Sequence, residues 1–217
     1  MKPRYFKART VASFEQNLFF SHCDDSAEAC ALCWSDIDFE NRIIHINKSF
    51  SDRPDEFGEI KRRIQSTKTT AGTRDIPMFQ EVFDAFLMEY EFQKILGFNE
   101  EEIDGYSGFV FTTSAQTVVL PGAVNRAIHG AIDEYNETET LAAEAEGRLP
   151  FLLPEEVTCH ILRHTFCTRL CENESNIKII QSIMGHADIT TTMNIYAEAT
   201  KEKKQEVMSH LEGKIIF

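Results

Sequence analysis

The 217-residue chain reads as an α+β protein, mainly helical, with a small antiparallel sheet near its N-terminal part. Three observations lead there. β-Prone runs separated by turn residues crowd between Ile37 and Pro77, apolar residues recur at helical spacing from Val82 to Ile95, and almost everything after Pro121 keeps a helical period. The length suffices for a self-sufficient core, so residues 1–217 are expected to form a single domain.

Taken in order, Ser13 is a candidate N-cap for a short first helix, and Asp24, Asp25 and Ser26 for a second one over Ser26 to Cys33. IDF and RIIHIN are strand candidates joined by a turn at Glu40 and Asn41, and two further runs, around Ile60 to Ser66 and Thr73 to Pro77, flank TKTTAG. One small sheet is expected from them. From Phe79 to Leu96, Val82, Phe83, Phe86, Leu87, Tyr90 and Ile95 share a helical period that Gly97 ends. FVFTT is β-prone. Pro121 suits the first position of a helix reaching about Tyr135, and ETETLAAEAEGR reads as a separate short acidic helix. His160 to Cys171 is helical with Leu162, Phe166 and Leu170 on one stripe; helices over Asn176 to Met184, Ile189 to Ala197 and Lys201 to Leu211 follow, and GKIIF closes the chain.

The composition, 42% hydrophobic and 26% charged, belongs to a globular protein rather than a disordered or fibrous one. No apolar run reaches a membrane span and the first residues lack a signal-peptide core, so a cytoplasmic location and no membrane partner are expected. A net charge of −13 argues at first sight against phosphate binding. Its distribution weakens that argument, because residues 81–158 hold 16 Asp and Glu against 3 Lys and Arg, while the rest of the chain holds 19 of each. A nucleic-acid surface therefore has to come from the flanks. Six cysteines without an export signal read as reduced thiols. Cys30, Cys33, Cys167 and Cys171 allow a four-thiolate zinc site, but each pair also falls at helical spacing, where cysteine serves as a small buried residue.

The C-terminal third carries the chemistry. His160 and Arg163 stand at i,i+3 and project from one helix face, and an imidazole beside a guanidinium fork suits a phosphate. The ordered set HILRHTF, MGHADITTT and NIYAEAT resembles the catalytic segments of the tyrosine recombinase, or phage-type integrase, family: H-x-x-R, a Gly-His, and a tyrosine about ten residues on. ALCWSDIDFENRIIHIN and STKTTAGTRDIPM are similar to the sheet segment of the same family, whose hairpin lysine is catalytic. The resemblance covers nearly the whole chain and implies site-specific DNA recombination or integration through a 3′-phosphotyrosine, on double-stranded DNA, as a tetramer in the family. It implies Tyr196 as nucleophile, Arg163 and His186 as stabilisers of the phosphoryl oxygens, His160 as an aid to proton transfer, and Lys68 as the acid for the 5′ oxygen. It calls for no cofactor, metal or small-molecule substrate. Residues 1–20 then read as a remnant N-terminal segment, and 200–217 as a helix and tail that packs on a neighbour.

One departure stands out. The family carries a second arginine in a T-G-x-R-x-x-E signature, and with Glu28 aligned, His22, Cys23 and Asp25 occupy the Thr, Gly and Arg positions. An acidic residue in that place predicts impaired turnover. Few phosphate contacts on an acidic chain predict weak, strongly salt-dependent DNA binding. Arg9, Arg62 and Arg63 are the candidates to compensate. The alternative reading is an impaired integrase remnant acting only as a DNA- or protein-binding module.

Overall fold

The structure, a computed structural model, describes residues 26–52, 54, 57–59, 61–67, 69–113 and 115–200. Helix α1, Ser26–Cys30, stops three residues short of the expected Cys33. The chain beyond it is recruited by another segment: Val110 N–H donates to Leu32 O at 2.9 Å, Trp34 N–H donates to Gly108 O at 3.0 Å, and Cys33 bridges Phe109. A helix cannot continue through residues whose backbone groups pair sideways. The β-prone run FVFTT contributes only such isolated bridges, Cys33 to Phe109 and Thr112 to Val118, and forms no strand.

After a 3-10 turn at Trp34–Asp36 come β1 (Ile37–Asp38), β2 (Ile43–Ile46), β3 (Lys48–Ser51), β4 (Arg63–Ser66) and β5 (Arg74–Pro77). They make two antiparallel sheets, β1-β2-β5 and β3-β4, where the sequence suggested one without β3. Only Asn47 separates β2 from β3, and the buried positions Ile44, Ile46, Lys48 and Phe50 alternate without a break across it. The registers Ile46↔Arg74 and Lys48↔Ser66 face this nearly continuous strand, so residues 67 and 69–73 are extruded from its partner. Thr67 and Thr73 hydroxyls meet at 2.8 Å and close the base of that excursion, within which Thr69 caps a 3-10 turn over Thr70–Gly72. β3 was hidden in the sequence because one of its two inward positions is Lys48 rather than an apolar residue. Burial is made possible by Asp36, whose carboxylate takes the Lys48 ammonium, and by the Tyr106 ring 5.2 Å from Nζ.

Helix α2, Gln80–Leu96, lays Val82 and Phe86 on Ile44, Ile46 and Ile76 of the three-stranded sheet, and Gly97 ends it at φ 100°. Trp34 clamps its outer turn, donating Nε1–H to Gln93 Oε1 at 2.9 Å and meeting the Tyr90 ring edge-on at 5.1 Å. Helix α3 runs unbroken over Pro121–Glu146, so the expected division near Tyr135 does not occur. Nothing between Ala131 and Glu146 interrupts a helix, and Gly147, left-handed at φ 67°, supplies the stop. Val124, Ile128 and Ile132 bury its first half against Phe109, Phe50 and Ile64.

Its second half holds the connection onward. Asn136 takes Leu153 N–H at 2.8 Å and returns a bond to Leu153 O at 2.9 Å. Glu139 accepts from the Arg148 guanidinium and, at 2.9 Å, from Phe151 N–H. The remaining helices, α4 (Cys159–Asn173), α5 (Ile177–Met184) and α6 (Ile189–Ala199), surround a third cluster of Cys167, Cys171, Ile180, Met184 and Ile195. The expected helices at Ser13 and over Lys201 to Leu211 lie outside the described residues.

The bonds from Arg148 and Phe151 hold the Glu139 carboxyl down at about 2. A carboxyl lowered on folding stabilises above its ordinary value, about 4.3, and loses that contribution as pH falls toward about 2. Glu139→Gln is therefore expected to flatten the dependence of the urea midpoint on pH across that window while leaving the neutral-pH slope unchanged.

Candidate active site

Helix α4 is fixed at its start by two acceptors. Thr158 caps it, taking Ile161 N–H at 3.3 Å, and Asn125 of α3 takes Cys159 N–H at 3.0 Å. Its deepest line is Arg163, Cys167 and Cys171, one residue round from the expected stripe of Leu162, Phe166 and Leu170, which are only half-buried. The rotation follows from the partner: α5 and α6 take Cys167 and Cys171 as small residues, while Phe166 is left to meet Phe79 edge-on at 6.3 Å. His160 and His164 remain exposed, with ring centroids 6.0 Å apart.

Helix α5 ends in a turn that carries His186. Asn176 caps its start, and Gly185 at φ 68° ends it. His186 N–H donates to Gln181 O at 3.3 Å, and Gln181 Nε2 donates to His186 O at 3.0 Å, so the turn is closed from both sides. The imidazole Nδ1 lies 2.9 Å from Thr192 Oγ1 on α6. Arg163 reaches the same turn from α4, donating Nη2–H to Met184 O. Asp188 then caps α6, accepting Thr190 N–H at 2.8 Å, and these bonds hold its carboxyl below the usual range. Tyr196 lies two turns into α6, half-buried against the cluster of Cys167 and Met184. His160 and Arg163 on α4, His186 in the turn after α5 and Tyr196 on α6 thus belong to three helices and a turn packed round one core.

A residue that sequence reasoning passed over joins this unit to the sheet. Arg74, inward-facing on β5 and 7% exposed, donates Nη2–H to Glu28 Oε2 at 3.0 Å and Nη1–H to Gly72 O at 2.9 Å. Its Nε–H donates to Ile183 O at 3.1 Å, beside the carbonyl that Arg163 takes. The guanidinium packs on Gly185 so closely that a Cβ there would lie 2.9 Å from Cζ. Glycine at 185 thus answers two demands, positive φ and no side chain. The signal was present: Arg74 shares a strand face with buried Ile76, and an arginine in such a place requires an acidic partner, which Glu28 on α1 supplies.

Lys68 and Asp25 lie outside the described residues. Residues 67 and 69–73 on either side of Lys68 belong to the extruded segment, which Arg74 fastens through Gly72 O. Of the arginines considered as compensators, Arg62 donates to Glu101 at 2.5 Å, and Arg9 is not described. Cys30 and Cys33 belong to one cluster, and Cys167 and Cys171 to another, so the four thiols do not converge. Burial pushes the Cys33 thiol up to about 11 and, with the neighbouring Cys171 thiol, Cys167 up to about 12. They behave as small core residues. Among the described residues no group of three or more His, Cys, Asp or Glu could hold a metal ion, and no helix is long and apolar enough to cross a membrane.

Comparison with known proteins gives this arrangement its context. Residues 26–203 match the phage integrase family. The chain is 35% identical over 187 residues to the transposase from transposon Tn916 of Enterococcus faecalis, covering 85% of this chain and 42% of that protein. It is 25% identical over 191 residues to the integrase of Staphylococcus phage L54a, covering 88% and 48%. It therefore spans less than half the length of these relatives. The Tn1549 transposon integrase, solved in complex with a circular intermediate DNA, superimposes with a TM-score of 0.71 at 30% identity, over 95% of this chain and 63% of that one.

Removing one partner of a buried ion pair leaves the other charge uncompensated. Arg74→Met is accordingly expected to lower unfolding stability by about 3–5 kcal/mol in urea titrations.

Proposed function

This chain belongs to the phage integrase family of tyrosine recombinases, and on that premise we propose that it is the catalytic domain of a site-specific recombinase acting on double-stranded DNA. The observation that supports the reading is the packing of the elements that carry the candidate residues: the helix of His160 and Arg163, the turn of His186 and the helix of Tyr196 are tied by the Arg163–Met184 and His186–Thr192 contacts round one core. Each of these side chains is of a type that phosphoryl transfer to a tyrosine requires.

In this reading the Tyr196 oxygen attacks the scissile phosphorus as its proton leaves, aided by His160. The bond to the 5′ oxygen breaks, Lys68 delivers a proton to that oxygen, and the DNA is held as a 3′-phosphotyrosine. Attack by the free 5′ hydroxyl of a partner strand reverses the step and rejoins the backbone. Arg163 and His186 stabilise the charge that builds on the non-bridging oxygens. The Met184 carbonyl commits one of the five guanidinium N–H donors of Arg163 and thereby orients the plane of the rest. Cationic side chains suffice for this chemistry, and no metal or cofactor enters the scheme. In this reading residues 1–217 supply one catalytic domain, which works in the cytoplasm and assembles on DNA as a homo-oligomer, a tetramer in the family.

Asp25 sets the rate. Where the family signature has an arginine this chain has a carboxylate, which removes a donor and adds like-charge repulsion against the phosphate. The loss of one such donor slows the step by about 100- to 1,000-fold. A protein that binds DNA or a partner without turning over is the second reading, and Asp25 is the residue that favours it.

A nicked suicide substrate, which releases the 5′ fragment and traps the covalent intermediate, separates the two. A slow covalent adduct is expected, abolished by Tyr196→Phe; no adduct from the unmodified chain over days overturns the enzymatic reading. Asp25→Arg is expected to raise the adduct-forming rate by about 100-fold or more, measured by gel shift under denaturing conditions.

A further inference from the structure

Thr192 is fully buried, and its hydroxyl behaves unlike those of three other helical threonines. Thr140, Thr165 and Thr168 each donate back to the carbonyl four residues earlier, at 2.7, 2.9 and 3.0 Å. Thr192 instead meets a side chain, His186 Nδ1, at 2.9 Å. It is also not among the buried polar atoms left unpartnered, so this contact is what satisfies it. The direction of the bond follows from counting hydrogens. If Nδ1 carried the proton and donated, the threonine hydrogen would be orphaned in a dry site, at a cost comparable to the bond itself. If the hydroxyl donates, both atoms are satisfied, and the proton of a neutral imidazole must then reside on Nε2.

We propose that Thr192 is a positioning residue that selects the Nε2–H tautomer of His186, making this imidazole a hydrogen-bond donor without requiring it to be charged. The inference rests on the recombinase reading for its use: a donor at Nε2 attracts a phosphoryl oxygen, whereas the opposite tautomer would present a lone pair to it. The tautomer itself is a property of the folded chain and is testable without DNA. The closed turn at Gly185 and the N-cap at Asp188 fix the spacing that lets residue 192 reach back to residue 186. Serine preserves the hydroxyl; valine preserves the shape and removes it.

The test is a long-range proton–nitrogen correlation spectrum of the uniformly nitrogen-15-labelled full chain at neutral pH, with His186 picked out from the seven histidines by its loss in His186→Gln. The expected pattern is a protonated Nε2 and an unprotonated Nδ1 in the wild type and in Thr192→Ser, and a mixture of tautomers in Thr192→Val. A wild-type spectrum with the proton on Nδ1 overturns the proposal, as does a Thr192→Val spectrum identical to the wild type. The first of these outcomes needs only the assignment from His186→Gln and does not depend on a Thr192 variant folding. On the suicide substrate, Thr192→Val is expected to slow adduct formation about tenfold with unchanged DNA affinity, and Thr192→Ser to restore it. Adduct formation that is equally fast in all three proteins overturns the catalytic use of the tautomer. Absence of any adduct, with the tautomer following residue 192, would instead count against the recombinase reading and leave the tautomer assignment standing.

Discussion

The buried guanidinium of Arg74 is the interaction on which the rest of this structure depends. One side chain contacts four parts of the fold: the strand it grows from, the carboxylate of Glu28 on the first helix, the carbonyl of Gly72 in the extruded segment, and the carbonyl of Ile183 at the end of the helix before His186. Each is a charged or polar group with little access to water, so each constrains where the others sit. A charge buried to this extent tolerates only geometries in which its donors find acceptors. The sheet and the three-helix unit therefore share one register, set by a planar five-donor fork rather than by apolar contact.

The end of the helix Ile177–Met184 shows how that constraint reaches the chemistry. Its last carbonyls carry the negative end of the helix dipole, and two arginines take them, Arg74 at Ile183 and Arg163 at Met184. Gly185 lets the chain turn beneath the Arg74 guanidinium, and His186 emerges on the far side with Thr192 against its ring. The cationic groups and the imidazole that act on a phosphate in the recombinase reading are thus organised by backbone carbonyls and one hydroxyl. The same short turn that gives His186 its place also gives Arg163 its orientation.

Legibility in the sequence followed the length of the pattern. Periodic helices were recovered to within a residue or two, as at Gln80–Leu96 and Ile177–Met184, because apolar spacing and capping residues agree there. Short-range inference failed where a distant partner outweighed local preference. Helix Ser26–Cys30 is cut short by Val110 and Gly108, FVFTT never becomes a strand, and the deep line of Cys159–Asn173 is rotated onto Arg163, Cys167 and Cys171. β3 was invisible because its inward lysine depends on Asp36, a pairing that no local pattern records.

The sequence by itself determined the fold class and the helical C-terminal third, which rest on periodicity, while His160, Arg163, His186 and Tyr196 were singled out by the resemblance of their ordered motifs to a family. Only the tertiary structure decided that the β-ribbon extrudes residues 67 and 69–73, that Arg74 joins them to the His186 turn, and that Thr192 reaches back to the imidazole. The physical reason is that each depends on how separate elements are placed against one another: strand register sets the first, a buried guanidinium with acceptors 155 positions apart, Glu28 and Ile183, sets the second, and the turn between two helices sets the third. No local period records such placement.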